Sequence, residues 1–257
     1  MLPPPALAAA AAPNPALPTA ASRVLSVLSG VPSFAITDAV GVPYAVVSSS
    51  AKIEQFFFPD PSEARSILAA ARREFKPSKG SPTNIWEGAR VTPFPLSAAV
   101  SLSLSASPTS FRVAPAASSV ADALELAPGD AELLPAGRVP LFYVPGLLIP
   151  PSYLSPPPPD PPPPPPSPPP PPPSPPPLLS PLFLSLPDLR LCWRLHGSAS
   201  VPPPIRVTEL FAVLAEVAKG GRENLKLVPV GGSAEVARRL KGGGAPDYRL
   251  GERIVVL

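Results

Sequence analysis

A proline tract constrains the fold of this chain more than any other stretch. From Pro156 to Pro177 every residue is proline except Asp160, Ser167 and Ser174. Proline fixes φ and lacks a backbone N–H, so the tract is expected to form a polyproline II helix about 70 Å long if straight. The packed domain must therefore lie on both sides of it. We predict that a proline-rich, largely irregular and disordered insertion covers residues 147–204.

The role of the tract has three interpretations. It can be a surface insertion, because the free energy of closing a loop grows only as the logarithm of its length. Proline-rich segments also recruit SH3 and WW domains, which would make the chain an interaction scaffold. Ser-Pro repeats also suit a hydroxyproline-rich cell-wall glycoprotein. The surface insertion is favoured, and the other two remain open.

A strand that ends at proline, followed by a serine that begins a helix, occurs twice. The first copy, ARVTPFPLSAAVSL, covers residues 89–102 with Ser97 as N-cap, and the second, KLVPVGGSAEVARRL, covers 226–240 with Ser233 as N-cap. Three further pairs of segments follow the same order: 31–34 with 139–142, 59–75 with the Thr208-capped helix 208–219, and 111–113 with 253–255. We therefore predict an α/β fold of two pseudo-symmetric halves from an internal duplication, residues 28–126 and 139–257.

The segment before residue 76 carries the clearest local pattern. The alternation of a strand that ends at Phe58 directs Phe57 to the face opposite Phe56. Asp60 follows as an N-cap with proline at the first helical position, and an apolar stripe continues to Phe75. A strand followed by an amphipathic helix is predicted here.

Composition argues against several classes of function. The net charge is +3 without a basic cluster, which is too weak for a nucleic-acid-binding surface. One cysteine, Cys192, and one histidine, His196, exclude an internal disulfide and disfavour a zinc site or a Cys–His nucleophile. Gly231 and Gly232 precede a helix, but a turn with a cap explains them better than a phosphate loop does. We predict no enzyme activity, no cofactor and no metal.

The first 27 residues differ from the rest of the chain. They are rich in alanine and proline, with no cation before Arg23 and no acid before Asp38. A secretory signal would need a basic start, so we predict a disordered leader or a transit-peptide remnant. No apolar run reaches the length needed to cross a bilayer, which predicts a protein that is peripheral to membranes.

The order of these segments resembles a known family. The chain is similar to the 22-kilodalton subunit of the chloroplast inner-envelope translocon and its cyanobacterial relatives in the order of these segments: LSGVPSFAIT, QFFFPDPSEARSILAAAR, ARVTPFPLSAAVSL, FRVAP…ALEL, GRVPLFYV, LKLVPVGGSAEVARRL and ERIVVL. The resemblance runs from about residue 28 to residue 257, apart from the proline-rich stretch. Because that stretch is a departure from the family, we expect the second half to be distorted.

The resemblance implies a fold and a function. The expected fold is one pseudo-symmetric α/β domain with apolar grooves. The implied function is a non-enzymatic, chaperone-like part in protein import across the chloroplast envelope. The implied location is the intermembrane space, with precursor proteins in transit and other envelope translocon subunits as partners.

Three phenylalanines are the candidate binding residues for an apolar groove. They are Phe57, Phe94 and Phe142, and the groove is expected in the first half, beside Pro93 and Pro95. The alternative is that these side chains belong to the core, since a two-layer domain must bury most of its aromatic residues. Sequence alone does not choose between the two.

Overall fold

The computed structural model describes residues 19–47, 52–75, 84–105, 109–127, 137–151, 177–197, 202–221, 224–241 and 255–256 of the 257. The proline tract, apart from Pro177, and residues 1–18 of the predicted leader lie outside the described residues. Of residues 255–256 only the backbone is described.

The first half mixes helices and strands. The elements are α1 (Ala20–Leu28), β1 (Pro32–Thr37), β2 (Tyr44–Val47), β3 (Ile53–Phe57), α2 (Pro61–Glu74), β4 (Arg90–Pro95), α3 (Leu96–Ser103), β5 (Thr109–Val113) and α4 (Ala117–Leu126). The second half has the elements β6 (Pro140–Tyr143), β7 (Ser180–Phe183), α5 (Leu186–His196), β8 (Arg206–Glu209), α6 (Leu210–Ala218), β9 (Leu225–Val228), α7 (Ser233–Lys241) and β10 (Val255–Val256). The chain is therefore a mixed α/β protein.

The strands form one ribbon and two four-stranded sheets. β1 and β4 pair antiparallel, and the sheets have the orders β10-β2-β3-β5 and β8-β6-β7-β9. β4 contains two prolines, which lack the N–H that a ladder needs, and accordingly it pairs with β1 alone among the described strands. This leaves one edge of β4 without a neighbouring strand in the described part of the chain.

The segment before residue 76 agrees with its sequence pattern. The side chain of Asp60 accepts a hydrogen bond from the Ser62 N–H at 2.7 Å and caps α2, as predicted. Phe57 lies in the central apolar cluster, whereas Phe56 and Phe58 pack together on the opposite face with ring centroids 6.5 Å apart. The predicted alternation is confirmed.

The central core draws on both halves of the chain. Phe57 and Phe94 come from the first half, and Leu141, Leu182 and Leu210 come from the second. All five side chains are buried in one contiguous cluster. The two halves therefore share a core rather than forming separate domains.

Each half also packs the last of its described helices against the strands of the other half. α4 contacts β6 and β8, and its Ala123 is buried with Phe142 and Phe183. α7 contacts β1 and β4, and its Ala237 is buried with Phe34. We refer to this arrangement as the helix exchange.

Strand pairing repeats in a register that differs from the one predicted. The antiparallel pair β1–β4 has its counterpart in β6–β8, and the parallel pair β3–β5 has its counterpart in β7–β9. By this pairing, segment 89–102, which forms β4 and α3, corresponds to β8 and α6 in the second half and not to 226–240 as predicted. The predicted correspondence of 59–75 with 208–219 is also wrong. The predicted pair 31–34 with 139–142 agrees: Val31 O accepts from Leu96 N at 2.9 Å, and Val139 O accepts from Leu210 N at 3.0 Å. For the pair 111–113 with 253–255, residues 253–254 lie outside the described residues, and the strand pairing gives β5 the counterpart β9 instead. The matching of short segments failed because it compared residues that are neighbours in sequence, whereas strand pairing joins residues that are distant along the chain.

The predicted irregular segment 147–204 contains regular structure, so its extent is wrong. β7 and α5 lie within it and bury Leu182, Phe183 and Leu189. Pro187 of this stretch lies where proline is tolerated, in the first turn of α5, whose N-cap is Ser185. The second half is not distorted there, since β7 and α5 complete its sheet and its apolar cluster.

Residues 20–27 of the predicted disordered leader are helical. Val27 and Leu28 of α1 are buried against the central cluster. Arg23 donates to Val217 O at 3.2 Å and to Ala218 O at 2.7 Å, which places a cation at the C-terminal end of α6. The folded unit therefore begins before residue 28.

Three predicted helix caps are also wrong. Ser233 is the first residue of α7 rather than its N-cap, and its buried hydroxyl has no hydrogen-bond partner among the described residues. α3 begins at Leu96, with Pro95 as its N-cap, so Ser97 lies inside the helix. The side chain of Glu209, rather than Thr208, caps α6 by accepting from Ala212 N at 2.9 Å.

The ends of the stretch that contains the proline tract meet at one point. Ile149 and Leu179 exchange both backbone hydrogen bonds, each at 2.9 Å.

Replacing residues 152–176 by a four-residue Gly-rich turn is therefore expected to leave the fold intact. It is expected to raise the free energy of unfolding by about 1 kcal/mol or less, because a shorter loop closes at a lower entropy cost. Urea unfolding measures this. Replacing 177–197 instead should abolish cooperative unfolding, and loss of the fold in the first variant would contradict the expectation.

Candidate functional site

A groove runs along β4 between two helices. It has two lobes that meet at Pro93 and Lys241, with volumes of about 390 and 370 Å³. The first lobe lies between α2, β4 and the end of α7, and the second between β4, α7 and the turn before β1. We call this feature the β4 groove.

α2 forms one wall because its apolar stripe fixes its orientation. Ala64 and Leu68 are buried beneath the helix, and Arg65 and Arg72 line the first lobe. Arg72 donates from Nε to Trp86 O at 3.0 Å and from Nη2 to Ala89 O at 2.5 Å. It thereby holds the segment before β4 against the helix.

α7 forms the other wall and is held at both its buried face and its start. Ser233 and Ala237 are buried, while Ala234 and Lys241 line the groove. At the N-terminus, Gly231 N donates to Asp188 Oδ2 of α5 at 2.8 Å. A carboxylate therefore already occupies the place where a phosphate would bind, which agrees with the two glycines forming a turn rather than a phosphate loop.

The charges around the first lobe are of one sign. Arg65, Arg72, Arg90 and Lys241 line it, and none of the described residues that line it is acidic. Between these cations lie apolar side chains: Leu68, Val91, Pro93 and Leu240. The first lobe thus combines an apolar floor with a cationic rim.

The helix α7 carries one carboxylate, Glu235, and its charge is balanced by arginines of the same helix. Glu235 pairs with Arg238, and with Arg239 at 2.9 Å. The hydrogen bond from Arg239 and the charge of Arg238 lower the pKa of Glu235. Glu235 therefore stays ionised and offsets arginines on its own helix.

The three phenylalanines predicted to bind lie in the interior. Phe57 and Phe142 are 0% exposed and Phe94 is 2% exposed. Phe94 lies under the second lobe of the β4 groove, and Phe57 meets it edge-on with ring centroids 5.4 Å apart. Phe142 lies in a separate cluster with Phe183 and is not among the described residues that line this groove. In this conformation none of the three presents a ring to solvent, and their part in binding stays a prediction.

The cations of the groove were missed at the sequence level. Arg65, Arg90 and Lys241 come from three elements that are distant along the chain, so no local motif marks them. The one available signal is on α2, where Arg65 and Arg72 flank the apolar stripe at a spacing of two turns.

The other sequence candidates do not form a reactive site. Cys192 lies on α5, where burial raises the pKa of its thiol and disfavours the nucleophilic thiolate. Across the described ranges, no group of three or more His, Cys, Asp or Glu side chains is placed to hold a metal ion. No helix among the described residues has the length and apolar character needed to cross a membrane.

Solved structures share this fold. Tic22 from Anabaena, described as a protein of protein transport, has a TM-score of 0.61 and 17% sequence identity, covering 86% of this chain and 97% of that one. Tic22 from Plasmodium falciparum has a TM-score of 0.60 and 16% identity, covering 86% and 98%. At these identities the matches establish the fold alone.

The family follows from the sequence itself. The model of the Tic22-like family matches residues 5–151, more than half of the chain, and the chain therefore belongs to that family. No curated protein matches this sequence. The resemblance drawn from the order of short segments is confirmed.

Proposed function

We propose that this chain is a non-enzymatic, chaperone-like component of protein import across the chloroplast envelope. In this proposal it works in the intermembrane space, peripheral to the membrane, and holds precursor proteins in transit for other translocon subunits. The observation that carries the proposal is membership of the Tic22-like family. The Anabaena relative is described as a protein of protein transport.

The β4 groove is the proposed binding site. A precursor in transit is an unfolded chain, so it offers apolar side chains on extended backbone. β4 is six residues long, and at about 3.3 Å per residue the groove matches an extended segment of similar length, about 20 Å. Pro93 and Pro95 lack the N–H groups of a strand edge, so a client would bind by its side chains rather than by joining the sheet.

The floor of the groove supports this assignment. Phe94 lies beneath it and is held by Phe57 in the central cluster, so the floor is preformed and binding orders few side chains. Leu68 and Leu240 add apolar surface at the first lobe. The small side chain of Ala234, which is exposed on α7, leaves the second lobe open.

A bulky residue at Ala234 tests the site. Ala234→Trp is expected to fill the second lobe and to weaken binding of a fluorescently labelled apolar peptide, measured by anisotropy on the full chain. The matched control is Ala215→Trp, which adds the same side chain at an exposed position of α6 outside the groove. The control is expected to bind like the unmodified chain, and thermal melting should be close to unmodified for both.

Two outcomes would contradict the proposal. If the full chain binds neither an apolar peptide nor an unfolded protein, the chaperone-like function fails. If Ala234→Trp binds as well as Ala215→Trp, the site lies elsewhere.

The location of the protein is tested separately, by incubating the labelled full chain with isolated chloroplasts. Recovery only outside the envelope would end the import assignment.

We also infer that the two halves arose by duplication and that the proline tract is an insertion into the second half. The repeated pairing of β1–β4 and β6–β8, and of β3–β5 and β7–β9, supports the duplication. The closure at Ile149 and Leu179 supports the insertion. Superposing the halves of an experimental structure should place β4 on β8, and placing β4 on β9 instead would refute this register.

A further inference from the structure

We propose that the first lobe of the β4 groove selects clients whose apolar segment is flanked by acidic residues. The inference rests on the proposed function and adds a preference to it. Its occupant is an extended polypeptide segment with an apolar centre and carboxylates beside it. The negative charge of these carboxylates complements the positive charge of the lobe.

The cations of the first lobe are not neutralised within the described chain. No hydrogen bond or ion pair to a described residue engages Arg65, Arg90 or Lys241. Arg72 donates to two backbone carbonyls, Trp86 O and Ala89 O, which leave its full charge in place. The charges therefore add to one positive field over the lobe.

Their placement surrounds the apolar floor. Arg65 lies on α2, Arg90 begins β4, and Lys241 ends α7. Leu68 and Val91 lie in the same lobe between them. An apolar side chain seated on this floor brings its sequence neighbours to the rim, where a carboxylate gains a partner and a cation is repelled.

The preference has a consequence for which part of a precursor binds. Organelle targeting segments are rich in arginine and serine and poor in acid. The lobe disfavours such segments by like-charge repulsion and favours apolar, acid-flanked segments elsewhere in the client. We infer that the groove holds the mature part of a precursor rather than its targeting segment.

Three peptides test the preference on the full chain. All share one apolar centre and carry glutamate, glutamine or lysine at both flanks. Glutamate flanks are expected to bind about three- to tenfold more tightly than glutamine flanks, and lysine flanks more weakly, since several exposed ion pairs each contribute modestly. The difference is expected to shrink as salt rises from about 0.05 M to about 0.5 M, because exposed charges are screened.

A charge-reversal variant locates the effect. The triple variant Arg65→Glu, Arg90→Glu, Lys241→Glu is expected to reverse the order of the peptides. The control is Arg73→Glu, Arg190→Glu, Lys219→Glu, which changes the net charge equally at exposed positions outside the groove. The control is expected to keep the order, and circular dichroism of both variants checks that they are folded.

Four other outcomes would contradict the inference. Equal binding of the three peptides overturns it while leaving the proposed function intact, provided that replacing the apolar centre by Gly and Ser abolishes binding. An unchanged order in the groove variant moves the selective surface elsewhere. Binding to anionic lipid vesicles without any preference among the peptides would identify a membrane surface as the occupant. Self-association that is lost in the groove variant would identify a second copy.

Discussion

Phe57→Ala is expected to lower the free energy of unfolding by about 3–5 kcal/mol, the usual cost of truncating a buried phenylalanine. The ring is 0% exposed. It lies edge-on to Phe94 at 5.4 Å and stacks near Phe111 at 6.3 Å. Truncation would leave a cavity in the cluster that both halves share, and urea unfolding measures the loss.

Phe56→Ala is the matched control for this prediction. Phe56 is adjacent in sequence but lies on the opposite face of β3 and is only partly buried, so its truncation is expected to cost clearly less. If the Phe57 variant melts like the unmodified protein and loses peptide binding, the ring of Phe57 lines a groove in solution and does not belong to the core.

The isolated fragment 19–127 is expected not to fold, which is the second large effect. Because of the helix exchange, the fragment lacks two sets of packing contacts that it has in the full chain. α7 is missing, and that helix covers Phe34 and Phe58 through Ala237. α4 has lost the strands β6 and β8 on which it packs. The fragment should show no cooperative thermal transition by circular dichroism.

Mixing the fragments makes this prediction specific. Adding a fragment of residues 137–257 should restore a cooperative transition, since it supplies α7 and the partner strands of α4. A fragment 19–127 that melts cooperatively alone, with the stability of the full chain, would show that the exchanged helix is dispensable.

Local chemistry allowed part of the fold to be predicted. The Asp60 cap, the helix after it and the opposite faces of Phe56 and Phe57 depend on neighbours in sequence, and the structure has each of them. β7 and α5 were missed because Pro181 and Pro187 made residues 177–197 look like part of the proline-rich stretch. Ser185, with Leu186 and Leu189 after it, was the available helix signal.

The long-range features could not be read from sequence patterns. The counterpart of β4 is set by pairing between β6 and β8, whose residues are more than sixty positions apart. The groove joins Arg65, Arg90 and Lys241 only because α7 packs on the first half's ribbon. Both depend on tertiary packing, which single-sequence periodicity does not report.

The bridge between Ile149 and Leu179 has a practical and evolutionary meaning. Ile149 and Leu179 hold the two ends of the intervening stretch together, so the length of that stretch does not set the distance between the segments on either side of it. Selection on the length and composition of that stretch is thereby separated from selection on the core. The same position is a natural graft site, where a fluorescent domain or an affinity tag can be inserted without disturbing either sheet.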